Sequence, residues 1–172
     1  MMLDSFRVLA AALDREGARY LVAGGLAVNA HGYVRYTKDV DLVIQLGTAN
    51  VERAFAALTS LGYRPTVPIV ASQFADPAQR ESWIREKGMK VLNFQSDEHR
   101  FAPVDVFVIE PFDFDQEHAA ALQGEVAPGL FVRFVSIATL IAMKELAGRP
   151  NDLVDVQHLR WILEEKDRGP DS

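Results

Sequence analysis

The sequence predicts an α/β fold: a small mixed sheet with three acidic side chains on one face, helices packed on the other, and a pair of C-terminal helices closing a cleft. Short apolar runs at Tyr20–Ala23, Val40–Ile44 and Val104–Ile109 are too brief for buried helices and are bounded by glycine, proline or polar residues, as strands are. Longer segments with apolar residues at helical spacing lie between them, so the two periods alternate along the chain. At 172 residues and 49% hydrophobic, the chain is long enough for one well-cored domain. Residues 1–135 are read as the core and residues 136–172 as a C-terminal helical extension of the same domain.

Phe6, Leu9, Ala10 and Leu13 give a helix over residues 3–16 that stops at Gly17. Tyr20–Ala23 is the first strand and ends at Gly24-Gly25, after which a short helix begins at Leu26 and finishes on Gly32. Val40–Ile44 is the second strand, and Thr48 or Asn50 caps a helix that runs to Leu61-Gly62. Residues 63–72, punctuated by prolines, form an edge strand or a loop. Pro77 opens a short helix within residues 76–87, and residues 90–95 pair with Val104–Ile109 as a hairpin. Residues 112–121 are helix or loop, Leu130–Val135 is the last strand, and Ser136 caps the helix Ile137–Leu146. Gly148-Arg149-Pro150 breaks that helix, and Asn151 or Asp152 starts the final one, through Leu159, Trp161, Ile162 and Leu163. No internal repeat interrupts this order, and the residues after Glu165 are expected to fray.

Charge inside the strands carries the chemistry. Asp39 and Asp41 flank Val40, and side chains two apart on a strand share a face. Two unit charges about 4 Å apart repel by roughly 4 kcal/mol at an effective dielectric near 20, so the pair calls for a cation, a shared proton or a basic partner. Asp105 is a third carboxylate inside an apolar run. Placed beside the Asp39 strand, it completes an all-oxygen cluster of the kind that holds Mg²⁺ together with substrate phosphates. Upstream, a strand, the Gly24-Gly25 pair and a helix N-terminus present backbone N–H groups to an anion. Arg35 and Thr37 lie in the connection to the acids and can reach the same cleft.

Gly24-Gly25, a short helix, Arg35-x-Thr37-x-Asp39-Val40-Asp41-Leu42 and the distant hydrophobic-Asp105-hydrophobic strand together resemble the nucleotidyltransferase superfamily related to DNA polymerase beta. In the tail, Lys144 followed by Arg149-x-x-Asp152-x-x-Asp155 is similar to the AbiEii-type minimal nucleotidyltransferases, many of which are toxins or antibiotic-modifying enzymes. Residues 50–100 carry no such likeness. The resemblance implies a nucleotidyltransferase fold and transfer of a nucleoside monophosphate from a triphosphate such as ATP, with Mg²⁺ or Mn²⁺, to an acceptor hydroxyl. That acceptor is left open between an RNA 3′ end such as that of tRNA, a protein and a small molecule such as an antibiotic; an antitoxin partner is implied if the protein is a toxin. Asp39, Asp41 and Asp105 would be the catalytic and metal-holding residues, and Gly24, Gly25, Arg35, Thr37 and Lys144 would bind nucleotide. Most of the superfamily has Gly-Ser where this chain has Gly24-Gly25, so one hydroxyl that often touches the triphosphate is missing.

Composition narrows the field. With no cysteine, the chain has no disulfide framework, thiolate metal site or cysteine nucleophile. A net charge of −6 argues against a protein that coats nucleic acid, and Arg80, Arg85, Lys87, Lys90 and Arg100 are interrupted by acids. No 18-residue apolar stretch exists and Asp4 sits where a signal peptide would want basic residues, so the protein is expected to be cytoplasmic, with no membrane partner. Two other classes stand beside the enzyme: a binding module that kept the fold without turnover, and another phosphoryl-transfer enzyme, though no Gly-x-x-x-x-Gly-Lys loop is present. Single residues have plainer alternatives too. Asp105 could be a core charge paired with Arg35 or Arg133, Gly24-Gly25 an ordinary turn, and Lys144 a snorkelling side chain. Asp152 and Asp155 could be helix N-terminal acids, His31 a packing or solvent-facing residue, and Trp83 and Trp161 core or edge anchors.

Overall fold

Val40–Ile44 (β2) and Val104–Phe107 (β5), the two strands that each contain an aspartate, are parallel neighbours in one sheet. In the computed structural model, which describes residues 2–169, the remaining strands are β1 (Tyr20–Ala23), β3 (Arg64–Pro65), β4 (Val91–Gln95), β6 (Leu122–Ala127) and β7 (Leu130–Phe134). The seven strands order as β3-β4-β5-β2-β1-β7-β6. The β2–β5 and β1–β7 pairs are parallel and the others antiparallel, which makes the sheet mixed. All four residues of β1 are buried, as is every residue of β2 except Asp41, the mark of central strands covered on both faces. In β4 and β5 burial alternates instead. Leu92, Phe94, Val104 and Val106 face the core while Asn93 and Asp105 stay partly exposed, so this end of the sheet is open on one side.

The helices are α1 (Met2–Arg15), α2 (Gly24–His31), α3 (Thr48–Ser60), α4 (Ala71–Ala75), α5 (Pro77–Lys87), α6 (Phe114–Ala120), α7 (Ile137–Ala147) and α8 (Pro150–Arg168). α1 buries Phe6, Leu9 and Leu13, and packs on α3 through that stripe. α2, α7 and α8 contact one another as a second group. The start of α2 lies against Asp41, which brings its N-terminus to the acids. Among the described residues no helix is long and apolar enough to cross a membrane.

Several local expectations are corrected. The glycine pair is not a turn ahead of the helix but its first two residues, with Gly24 at φ +60. Gly47, not Thr48 or Asn50, is the N-cap of α3. Asn50 is buried; its amide donates to the carbonyls of Arg19 and Gln45 and accepts from the Arg19 N–H, tying the chain ends around β1 and β2 together. Ser136 stands at the N-cap of α7, but its side chain makes no capping bond, and its N–H donates to Glu117 Oε1 instead. The final helix begins at Pro150, a residue suited to N1 because its missing N–H would be unpaired there. It continues to Arg168, past the expected fraying point at Glu165; residues 170–172 of the expected tail lie outside the described residues. α4 and β6 were not foreseen. Of the tryptophans, Trp83 packs against the core near Phe74, whereas Trp161 is half exposed beside His158.

Candidate active site

Register sets the site. Asp41 on β2 is the direct partner of Asp105 on β5, and Asp105 is the direct partner of Asn93 on β4, so the three side chains form a row on one face of the sheet. Asn93 Nδ2 donates to Asp105 Oδ1 at 2.7 Å. The plainer alternative for Asp105, an ion pair with Arg35 or Arg133, is not what the side chains do: Arg35 is bound to Asp155, and Arg133 Nη1 donates to the His118 carbonyl. Asp39 precedes β2 by one residue and belongs to an extended segment, residues 33–39, whose burial alternates. Tyr33, Arg35, Thr37 and Asp39 are half-buried, while Val34, Tyr36 and Lys38 are exposed.

The first turn of α2 lies against this alternating row. A Cβ on Gly24 would stand 1.9 Å from Asp41 Oδ2, and one on Gly25 would stand 2.4 Å from Thr37 Oγ1 and 3.2 Å from Arg35 Nη1. Only glycine lets the helix N-terminus approach the acids this closely. The missing serine hydroxyl also acquires a reason: Thr37 Oγ1 already fills the space beside position 25 that a side chain there would need.

The opposite wall is a chain of ion pairs. Arg35 forks onto Asp155, Nε to Oδ1 at 2.8 Å and Nη2 to Oδ2 at 2.6 Å. Lys144 Nζ bridges Asp155 Oδ2 at 3.0 Å and Asp152 Oδ1 at 3.1 Å. Arg149 Nε reaches Asp152 Oδ2 at 2.7 Å. Both aspartates are almost fully buried, and Lys144 is buried too rather than snorkelling. Burial pushes the carboxyls of Asp152 and Asp155 up, but the bonds from Arg149, Arg35 and Lys144 outweigh it and hold both below the usual carboxylate range. Asp152 does act as a helix N-terminal acid, at N3, where it accepts from the Arg149 N–H. Asp155 does not; it is the anchor of Arg35. Three cations against two anions leave this wall positive, and Arg149 is the cation most open to solvent, with 76% of its side chain exposed.

Between the two walls lies a cleft of about 710 Å³ whose lining includes Gly25, Thr37, Asp39, Asp41, Lys144 and Arg149. The sequence-predicted residues Gly25, Arg35, Thr37, Asp39, Asp41 and Lys144 all meet there, Gly24 touches it through Asp41, and Asp105 adjoins Asp41 in the sheet. Burial, then Asp105 and Asp39, push the Asp41 carboxyl up to about 6, against a weaker pull from Lys144 and Arg149. Burial and Asp39 also raise Asp105, with the Asn93 bond opposing. Among the described residues no three acidic or histidine side chains stand close enough to hold a metal ion as they are. The donors nevertheless fit a hard divalent cation: they are carboxylate oxygens that repel one another when ionised, and a cation would relieve that repulsion.

No protein-family model matches the chain, and no curated protein matches it in sequence. Solved structures do. The crystal structure of ANT(2")-Ia in complex with adenylyl-2"-tobramycin matches with a TM-score of 0.56 over 91% of this chain and 86% of that one, at 16% identity. Lincosamide antibiotic adenylyltransferase LnuA, lincomycin-bound, matches with a TM-score of 0.56 over 87% of this chain and 90% of that one, at 13% identity. The chain has a nucleotidyltransferase fold. The solution structure of the antibiotic-resistance factor ANT(2'')-Ia agrees, with a TM-score of 0.54 over 96% of this chain and 92% of that one, at 15% identity.

Within this nucleotidyltransferase fold, sequence reasoning missed Arg149 and Asn93 as site residues. Arg149 belongs to the Gly148-Arg149-Pro150 break before α8, and only the fold brings its side chain to the cleft. Asn93 carries a legible signal of its own: it is the polar residue between core-facing Leu92 and Phe94 on the strand that pairs with the Asp105 strand, so both polar side chains belong on the open face.

Proposed function

We propose that the protein transfers a nucleoside monophosphate from a nucleoside triphosphate to a hydroxyl of a small-molecule acceptor. The observation that supports it most is that Asp41, in direct parallel register with Asp105, lines a cleft together with Asp39, while Lys144 and Arg149 line its other wall. Positive charge on one wall suits a polyphosphate, and carboxylates on the other would suit the divalent cations that accompany it.

In this reading the backbone N–H groups of the first turn of α2 and the Thr37 hydroxyl hold the phosphates, with Lys144 and Arg149 compensating their charge. Asp39, Asp41 and Asp105 would hold Mg²⁺ or Mn²⁺, which when bound neutralises charge on the transferring phosphate and makes the acceptor hydroxyl easier to ionise. The acceptor oxygen attacks the α-phosphorus, the bond from that phosphorus to the bridging oxygen breaks, and pyrophosphate leaves with the electron pair. The acceptor proton passes to Asp105, which Asn93 keeps oriented through Oδ1. Arg35 takes a different part from the one its sequence position implied: its fork is used on Asp155, so it fastens residues 33–38 to α8 and contributes to the cleft by placing Thr37 and Asp39.

The antibiotic adenylyltransferases that share the fold favour a small acceptor, and the AbiEii-like tail keeps an RNA or protein acceptor as the second reading. The test is to incubate the protein and Mg²⁺ with each α-labelled triphosphate and a fractionated cell extract. Label in the small-molecule fraction, lost with Asp105→Asn, is expected. Label in RNA or protein would move the assignment to a toxin-like activity, and no transfer to any fraction would contradict it.

A further inference from the structure

Beyond its charged part, the wall of the cleft is Tyr33 and Tyr36 on the segment leading to the acids, and Pro150, Asn151 and Val154 on the first turns of α8. Phosphates have no use for such a surface; a flat heterocycle does. Tyr33 is already engaged, stacked on His158 with ring centroids 3.8 Å apart. Tyr36 is not taken up by the core: it is 84% exposed. Its backbone is nevertheless held. Arg35 Nη1 donates to the Tyr36 carbonyl at 2.8 Å, the Arg35 N–H donates to Asn29 Oδ1 at 3.0 Å, and the Arg35 fork fastens the same segment to Asp155. A large aromatic ring is therefore displayed on a pinned backbone at the lip of the cleft, one residue before Thr37 and three before Asp39.

We infer that Tyr36 is the stacking platform for the nucleobase of the bound triphosphate, with Asn151 and Val154 on the facing wall of the base subsite. This rests on the nucleotidyl-transfer reading and extends it. With the polyphosphate between the first turn of α2 and the Lys144–Arg149 wall, the nucleoside end lies along the uncharged stretch of the cleft. Every base has a π-face for Tyr36, and the Asn151 amide offers a donor and an acceptor to a base edge. The 710 Å³ of the cleft is within the range of about 300–1,000 Å³ usual for ligand sites.

The experiment compares binding of ATP, GTP, CTP, UTP and inorganic tripolyphosphate, each with Mg²⁺, to the full chain and to Tyr36→Phe and Tyr36→Ala by titration calorimetry. The wild type is expected to bind at least one nucleoside triphosphate about tenfold or more tightly than tripolyphosphate. Tyr36→Phe should keep that margin and Tyr36→Ala should erase it, while both variants bind tripolyphosphate as the wild type does. A Tyr36→Ala protein that keeps the margin, or a wild type that shows none, overturns the platform and leaves the phosphate site standing. A wild type that binds neither tripolyphosphate nor any nucleotide contradicts the nucleotidyl-transfer reading itself.

Discussion

Asp41 is held in an environment that disfavours its own charge. Its folded-state value of about 6 lies above the ordinary 3.8, so the folded protein binds the Asp41 proton more tightly than the unfolded chain does. The stability this group allows is fully present below about pH 4 and is lost as pH rises through about 6. Metal-free Asp41→Asn should therefore be more stable than wild type at pH 7–8, by on the order of 3 kcal/mol, and the advantage should vanish near pH 4. Urea melts of both proteins across that range measure it; an advantage over wild type no larger at pH 8 than at pH 4 would show that Asp41 bears no such burden. A second residue-scale expectation concerns the glycines. Gly25→Ala should cost about 1–3 kcal/mol through its clash with Thr37, and Thr37→Gly in the same chain should return part of that loss in thermal melts. The acids and glycines were legible in the sequence because strand period and helix N-termini leave local marks. The partnership of Gly25 with Thr37 was not, because it arises where two segments cross.

At the scale of elements, α8 is fastened to the segment before β2 by Arg35 and Asp155, and to α7 by Lys144 and by the Arg160–Glu145 pair. Asp155 has 1% of its side chain exposed, so breaking this set leaves buried charge uncompensated. Asp155→Asn should lose about 3–5 kcal/mol of stability, read by urea denaturation at pH 7, and Arg35→Lys should not keep wild-type stability, since a single ammonium cannot replace a two-pronged fork. An Asp155→Asn protein within 0.5 kcal/mol of wild type, an order-of-magnitude threshold for ordinary surface changes, would mean that the helices dock by apolar packing alone. The two strands bearing Asp41 and Asp105 were readable as strands from their apolar runs, and the hairpin of β4 with β5 from the turn residues between them. β6 was missed although Pro128-Gly129 marks its hairpin with β7, because its own residues, Leu122-Gln123-Gly124-Glu125, carry little strand character. The ion-pair wall is not legible in the sequence for a different reason: Arg35 and Asp155 are 120 residues apart, and no local pattern connects them.

For the whole molecule, the sheet presents acids at one wall of a cleft and the C-terminal helices present cations at the other, so ligand binding should couple to global stability. Adding Mg²⁺ with a bound nucleoside triphosphate at about 100 times its Kd should raise unfolding stability by about 2.7 kcal/mol. Asp39→Asn should lose most of that gain, as calorimetric melts with and without Mg²⁺ and nucleotide would show; a full gain in the variant would remove Asp39 from the site.

In the proposed reaction the bond between the α- and β-phosphates breaks in this cleft. The most direct measurement follows the fate of a triphosphate labelled separately at the α and γ positions, with Mg²⁺ and the acceptor-containing extract, in wild type and in Asp41→Asn. The expected result is α label joined to the acceptor and γ label released as pyrophosphate in equal amount, both abolished by Asp41→Asn. Release of γ label as inorganic phosphate, or transfer undiminished in Asp41→Asn, would contradict it.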